Sequence, residues 1–324
     1  MNCLCCSKEI RDNASDYEKN SGWHMSCIRK FFGTDKLPEL SVSDSTLKQL
    51  AYESTSRGIT VPGVQKKLSL HLSTEDKDKP RLTLVDYPAG YILKPQTEEY
   101  RCLPEAEYLA MHMAEMTKIK TVPFALIRMS GNGEFAYITK RIDRQKIENC
   151  TEKLAMEDFC QLDNRLTADK YKGSYERCAK IIERYSERIG FDMSEFFMRL
   201  VFSFAIGNSD MHLKNFSLIE ENLCSCNYRL SPAYDMLPVN VIMPQDTEQL
   251  ALTLNGKKRN IRRKDFLIFA ENGGINRKSA EKMIGKIVSL KDEYIKLCRS
   301  SYLPDDMKSS LENLIASRIA VFEA

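Results

Sequence analysis

A chain of 324 residues, 43% of them hydrophobic, is long enough to bury a sizeable core and to divide into two or three units. Its 48 basic and 45 acidic side chains nearly cancel, leaving a formal net charge of +3, so no global attraction to nucleic acid or to an anionic membrane follows. The start has no basic-then-apolar leader and no apolar run reaches membrane-spanning length. The eleven cysteines are therefore expected to be reduced thiols and metal ligands of a cytoplasmic protein rather than disulfides.

Residues 1–34 hold Cys3-x-x-Cys6 and, after Trp23, His24-x-x-Cys27. Two pairs at this spacing offer four ligands to one tetrahedral Zn²⁺, with Cys5 as the alternative to Cys6. So short a segment has too little apolar content to fold alone, and metal would supply the missing stability. Residues 35–53, with Pro38, Ser41 and Ser43, read as a linker.

Residues 54–150 read as a strand-rich unit. A loop from Arg57 to Lys67 places Gly58, Pro62 and Gly63 ahead of Lys66 and Lys67, and the backbone of such a loop can approach a phosphate closely. Leu68, Leu70 and Leu72 alternate as in a half-buried strand, Arg81 to Asp86 alternates again, and Tyr91 to Lys94 predicts a third strand ending in a lysine. Pro104 opens a helix through Met116 whose Glu105 and Glu107 lie on different faces, so at most one of them can meet Lys94. Strands over Val122–Met129 and Glu134–Thr139 follow, joined by the hairpin signal Ser130-Gly131-Asn132-Gly133. Lys140 to Arg144 leads out of this unit, its backbone suited to an adenine edge and Asp143 to a ribose hydroxyl.

Residues 151–324 are read as mainly helical, with helical patterns at Met156–Gln161 and Ser174–Arg188 and an all-round apolar run from Phe196 to Ile206. Gly207 offers a left-handed stop, and Asp210 and Asn215 follow at the spacing by which protein kinases place a catalytic base and a metal ligand. Asp235, after a short strand-like piece, supplies a second carboxylate of the kind a magnesium ion on nucleotide phosphates needs. The basic run Lys257–Arg259 and Arg262–Lys264 reads as a solvated face or as a dock for an acidic partner.

As a set these segments resemble the HipA family, the serine/threonine kinase toxins of bacterial toxin–antitoxin modules. The likeness runs from about Ser54 to the end. It is carried by Thr60-Val61-Pro62-Gly63-Val64-Gln65-Lys66-Lys67, Ile92-Leu93-Lys94-Pro95, Lys140-Arg141-Ile142-Asp143-Arg144, Gly207 to Asn215, and Tyr234-Asp235. Glu157–Gln161 and Leu254–Lys258 also look like family segments. The resemblance implies an α+β, protein-kinase-like bilobal fold, with a β-rich small lobe and a mainly helical large lobe. It implies ATP and Mg²⁺ as cofactors, Asp210 as catalytic base, and Asn215 and Asp235 as magnesium ligands. Pro62 to Lys67, Lys94, Lys140 to Asp143, His212 to Asn215, Tyr234 and Asp235 would be the nucleotide-binding residues. It further implies an aminoacyl-tRNA synthetase as substrate, an antitoxin with a DNA-binding domain as partner, and autophosphorylation in the phosphate loop, here at Thr60, where the family more often has serine. Longer members carry an extra β-rich subdomain ahead of the kinase core. The Cys-rich start stands in its place, as in the short form of three-gene modules, so a separate small protein is expected to supply it. Neither membrane association nor direct DNA binding is expected. The alternatives are a kinase-shaped binding module acting through its metal-bearing N-terminus and basic run, and a small-molecule kinase.

Overall fold

A computed structural model describes residues 1–40, 67–74, 76, 79–84, 89–129, 133–147 and 150–323. The expected phosphate loop, with Thr60, Pro62, Gly63, Val64, Gln65 and Lys66, lies outside the described residues, as do hairpin residues 130–132. The chain forms two compact units: Met1–Tyr108 with Val122–Ile142, and Leu109–Thr121 with Asp143–Ala324.

In the first unit six strands form one sheet: β1 (Glu39–Leu40), β2 (Leu68–Ser73), β3 (Arg81–Leu84), β4 (Tyr91–Pro95), β5 (Phe124–Arg128) and β6 (Phe135–Lys140). Their spatial order is β1-β3-β2-β4-β6-β5. All neighbours are antiparallel except β1 and β3, so Glu39 and Leu40, read from the sequence as linker, instead extend the sheet beside Arg81 and Leu82. The apolar content of the interior strands explains why they are central: Leu70, Leu93, Ala136 and Ile138 are fully buried. β4 pairs with β6 in the register Tyr91–Lys140, Leu93–Ile138 and Lys94–Tyr137. The expected hairpin is present as the β5–β6 pair.

The Cys-rich segment folds as part of this same unit. Its two short helices, Asp16–Ser21 and Met25–Phe32, begin at a Ser15 capping box and at His24 and end at Gly22 and Gly33, both in left-handed conformation. The first helix buries nothing, whereas the second presents Ile28, Phe31 and Phe32 inward.

The second unit is built around the helix Ile189–Ala205, in which Phe196, Phe197, Leu200, Val201, Phe202, Phe204 and Ala205 are all essentially inaccessible. That follows from a sequence apolar on every helical face. Phe196 meets Phe159, Tyr175 and Phe216, while Phe204 meets Phe266 and Phe322, so aromatic edges fix the helix on both sides. Met156–Asp158, expected to be helical, is instead strand β9, following the hairpin pair β7 (Arg144–Ile147) and β8 (Cys150–Lys153). β9 pairs with β10 (Ser217–Glu220), and β10 with β11 (Tyr228–Leu230). Cross-strand pairing overrides the local helical pattern up to Asp158, which then caps the four-residue helix Phe159–Leu162 through a capping box with Gln161.

Candidate active site and metal centre

Within the first unit, the lysine ending β4 meets a helix carboxylate. Lys94 Nζ donates to Glu107 Oε1 at 2.6 Å, and both side chains are 3% exposed. Lys94 also lies 5.2 Å from the centroid of the Tyr137 ring, its partner across β6. The helix Leu103–Met116 thus uses Glu107 rather than Glu105 for this contact. Burial pushes the Glu105 carboxyl up from its ordinary value. An ammonium so buried needs its counter-charge, and losing either partner is costly.

Asp143 accepts from Arg144 Nη1 at 2.6 Å, and its carbonyl accepts from the Leu154 N–H, which anchors the start of the second unit. Lys140 Nζ lies 5.8 Å from the Phe31 ring, and burial lowers its pKa. The Arg141 N–H donates to the Gly90 carbonyl. Ile142 follows at the end of the first unit, and Lys67 is exposed.

In the second unit the buried helix leads into the loop from Asn208 to Asn215. Gly207 takes φ +70°, and a Cβ there would overlap the Leu314 side chain, so any other residue at this stop is strained. The loop beyond it is tightly bonded. Asn208 Oδ1 accepts from the Asp210 N–H, the Asp210 carbonyl accepts from the His212 N–H, and Asn215 Nδ2 donates back to that carbonyl at 2.8 Å. With its amide nitrogen engaged, Asn215 presents its oxygen, the atom a hard cation takes.

Asp210 Oδ1 accepts from Tyr171 Oη at 2.5 Å, and the Tyr171 ring stands edge-on to His212 with centroids 4.9 Å apart. Desolvation and the Asp210 charge push the Tyr171 phenol well above its ordinary pKa, keeping it a donor. Ser209 Oγ donates to Asp246 at 2.6 Å, and Asn240 Nδ2 donates to Ser209 Oγ. Lys214 Nζ donates to Asp158 at 2.6 Å, while Leu213 is fully buried.

Asp235 reaches the loop through its neighbour. Tyr234 Oη donates to the Lys214 carbonyl at 3.2 Å and shares a 2.5 Å bond with Ser217 Oγ, while Ala233 bridges to Thr121. Asp235 itself takes φ +55°, a conformation costing a non-glycine residue on the order of 1–3 kcal/mol and concentrated at functional sites. Asp158 falls within the family-like segment Glu157–Gln161, but Asn240, Asp246 and Tyr171, the last 39 positions from Asp210, carry no local signal in the sequence.

The N-terminal ligand set comes together as expected. The donor atoms of Cys3, Cys6, His24 and Cys27 lie within 4.8 Å of one another, against roughly 3.8 Å between corners of a Zn–S tetrahedron. The structure selects Cys6 over Cys5. His24 Nδ1 lies 3.4 Å from Cys6 Sγ, and Nε2 donates to the Glu9 carbonyl, the orientation a ligating imidazole requires. Hydrogen bonds from Cys27 and Cys6 depress the Cys3 thiol, whereas those with Cys27 and then Cys3 raise Cys6, and those with Cys3 and then Cys5 raise Cys27. Three sulfurs and one imidazole nitrogen form a soft donor set that can hold a metal ion.

A family model described as the HipA-like C-terminal domain matches residues 59–293. The chain belongs to the HipA-like family. A relative in Haemophilus influenzae carrying the name "Putative kinase" is 27% identical over 271 residues, 76% of this chain and 77% of its own. Another so named, from Sinorhizobium fredii, is 34% identical over 205 residues, 59% of this chain and 48% of its own. The fold is that of HipA from Shewanella oneidensis, solved in complex with HipB and its operator DNA, with a TM-score of 0.65 at 18% identity, covering 82% of this chain and 64% of that one. It is shared by the Helicobacter pylori proinflammatory kinase CtkA, with a TM-score of 0.54 at 17% identity over 75% and 88% of the two chains. The chain therefore spans less than two thirds of the length of that HipA and about half that of the Sinorhizobium relative. This is an α+β, kinase-like fold. Among the described residues no helix is long and apolar enough to cross a membrane.

Proposed function

We propose that this HipA-like chain is an ATP- and Mg²⁺-dependent protein kinase acting on serine or threonine hydroxyls. The observation that carries the reading is the closed loop from Asn208 to Asn215, in which the Asn215 amide is tied to the Asp210 carbonyl and Tyr234, beside Asp235, is tied to the Lys214 carbonyl. Asp210 would accept the proton of the acceptor hydroxyl as its oxygen bonds to the γ-phosphorus and the bond to the ADP oxygen breaks. Asn215 and Asp235 would hold the magnesium, which when bound neutralises charge developing on the phosphates. Lys94, held by Glu107, would pair with phosphate oxygens, and Lys214 is steered by Asp158. The Cys3, Cys6, His24 and Cys27 set would hold a structural Zn²⁺.

On family grounds the kinase is read as the toxin of a toxin–antitoxin module, phosphorylating a translation component such as an aminoacyl-tRNA synthetase and silencing itself at Thr60. The HipB and operator DNA bound to the Shewanella neighbour support a DNA-binding antitoxin partner. The test is phosphoproteomics of cells expressing wild-type or Asp210→Asn protein, paired with labelling of purified protein by radioactive ATP. Wild type should label itself and at least one translation protein, and the variant neither. Equal labelling by the two overturns the assignment of Asp210.

A further inference from the structure

Contacts from the four-ligand segment to the rest of the first unit reach the residues beside both members of the Lys94–Glu107 pair. Tyr108, next to Glu107 on its helix, donates its hydroxyl to the carbonyl of the ligand residue Cys3 at 2.9 Å. The Leu4 carbonyl accepts from the Leu126 N–H at 2.8 Å, so the knuckle closes onto edge strand β5. The helix starting at His24 lays Phe31 and Phe32 against Tyr91, at 5.9 and 5.5 Å between centroids, and Tyr91 opens the strand that ends in Lys94. Tyr91 Oη also donates to the Phe31 carbonyl, and burial pushes this phenol up to about 12, so it stays a donor. Behind these contacts Trp23, adjacent to His24, is fully buried against both phenylalanines.

Residues 1–33 can hold these positions only if their own fold is set. Their buried apolar side chains are Leu4, Ile10, Trp23, Ile28, Phe31 and Phe32, with Phe31 and Phe32 turned toward Tyr91, and their first helix buries nothing. Three thiols and an imidazole crowded together without a cation repel or compete for protons, whereas a Zn²⁺ converts the crowding into the main source of local stability. We propose that the metal at Cys3, Cys6, His24 and Cys27 is a strut for nucleotide binding: it fixes the Lys94 strand through Tyr91 and the Glu107 helix through Tyr108. Nucleotide affinity then depends on metal occupancy and on the reduced state of these thiols. This rests on the kinase reading for its consequence, but not for its geometry.

The experiment compares zinc-loaded protein with protein stripped by phenanthroline under reducing conditions. Elemental analysis should find about one zinc per loaded chain. The sole tryptophan, Trp23, should shift its emission to the red on stripping. Amide hydrogen exchange should speed up by roughly tenfold or more in Tyr91–Pro95 and Leu103–Tyr108, with the Asp305–Glu323 helix as internal reference. Tyr108→Phe, which keeps the ring and the zinc, should weaken Mg-ATP binding by about two- to tenfold. Unchanged exchange in those two segments after zinc loss overturns the strut, as does a loaded protein containing no zinc. If loaded protein binds no Mg-ATP, the kinase reading fails while the exchange data still decide the strut.

Discussion

Tyr171 holds the acidic oxygen that the proposed chemistry needs. Its hydroxyl donates to Asp210 Oδ1, as an acceptor hydroxyl would. Tyr171→Phe should free that oxygen, raising ATP hydrolysis in the absence of protein acceptor by about two- to tenfold, the worth of one hydrogen bond. ADP release measured for the two proteins side by side checks this, and a fall instead would make the phenol an orienting group. The other decisive residue pair is Lys94 and Glu107. Glu107→Ala leaves a buried ammonium without its partner and should cost about 3–5 kcal/mol, measurable by urea unfolding. The double variant Lys94→Met, Glu107→Ala should recover part of that loss while remaining unable to bind nucleotide normally.

At the level of elements, the buried helix Ile189–Ala205 and its glycine stop set where the proposed catalytic loop begins. Gly207→Ala would have to adopt left-handed backbone and displace Leu314, at a combined cost of roughly 2–4 kcal/mol. Thermal melting should reveal it, and activity should fall further than stability because Asn208 to Asn215 loses its origin. Asp158 joins two elements, capping the helix Phe159–Leu162 and holding Lys214. Asp158→Asn keeps a capping side chain, whereas Asp158→Ala loses about 1 kcal/mol of cap energy as well. Both should impair phosphoryl transfer, with only the alanine variant lowering the melting temperature appreciably.

At the level of the whole molecule, ligand linkage tests the metal ligands. Mg-ATP at one hundred times its dissociation constant should stabilise the wild type by about 2.7 kcal/mol. Asp235→Asn should abolish the magnesium-dependent part of that gain in a melting-temperature titration. Should the two proteins respond alike, Asp235 is not a magnesium ligand.

Much of this protein was legible along the chain because its decisive signals are local. Cys3-x-x-Cys6 and His24-x-x-Cys27 each place two ligands within one turn, and the all-round apolar run before Gly207 can only be a buried helix. The apolar run Tyr91–Leu93 ahead of Lys94 and the offset of Asp210 from Asn215 likewise need nothing beyond their own neighbourhood. Contacts between distant positions were decided only by the folded chain. The choice of Glu107 over Glu105 depends on which helix face meets β4, and that of Cys6 over Cys5 on how the knuckle turns at Ser7, which takes φ +57°. Met156–Asp158 is a strand because Ser217–Ile219 lies beside it, its paired residues 59 to 63 positions on. Tyr171 reaches Asp210, and Tyr91 and Tyr108 reach the knuckle, by the same kind of long-range closure. Periodicity and spacing record what a segment can bury or bind, whereas the partner it meets is set by packing and pairing free energies summed over the whole fold.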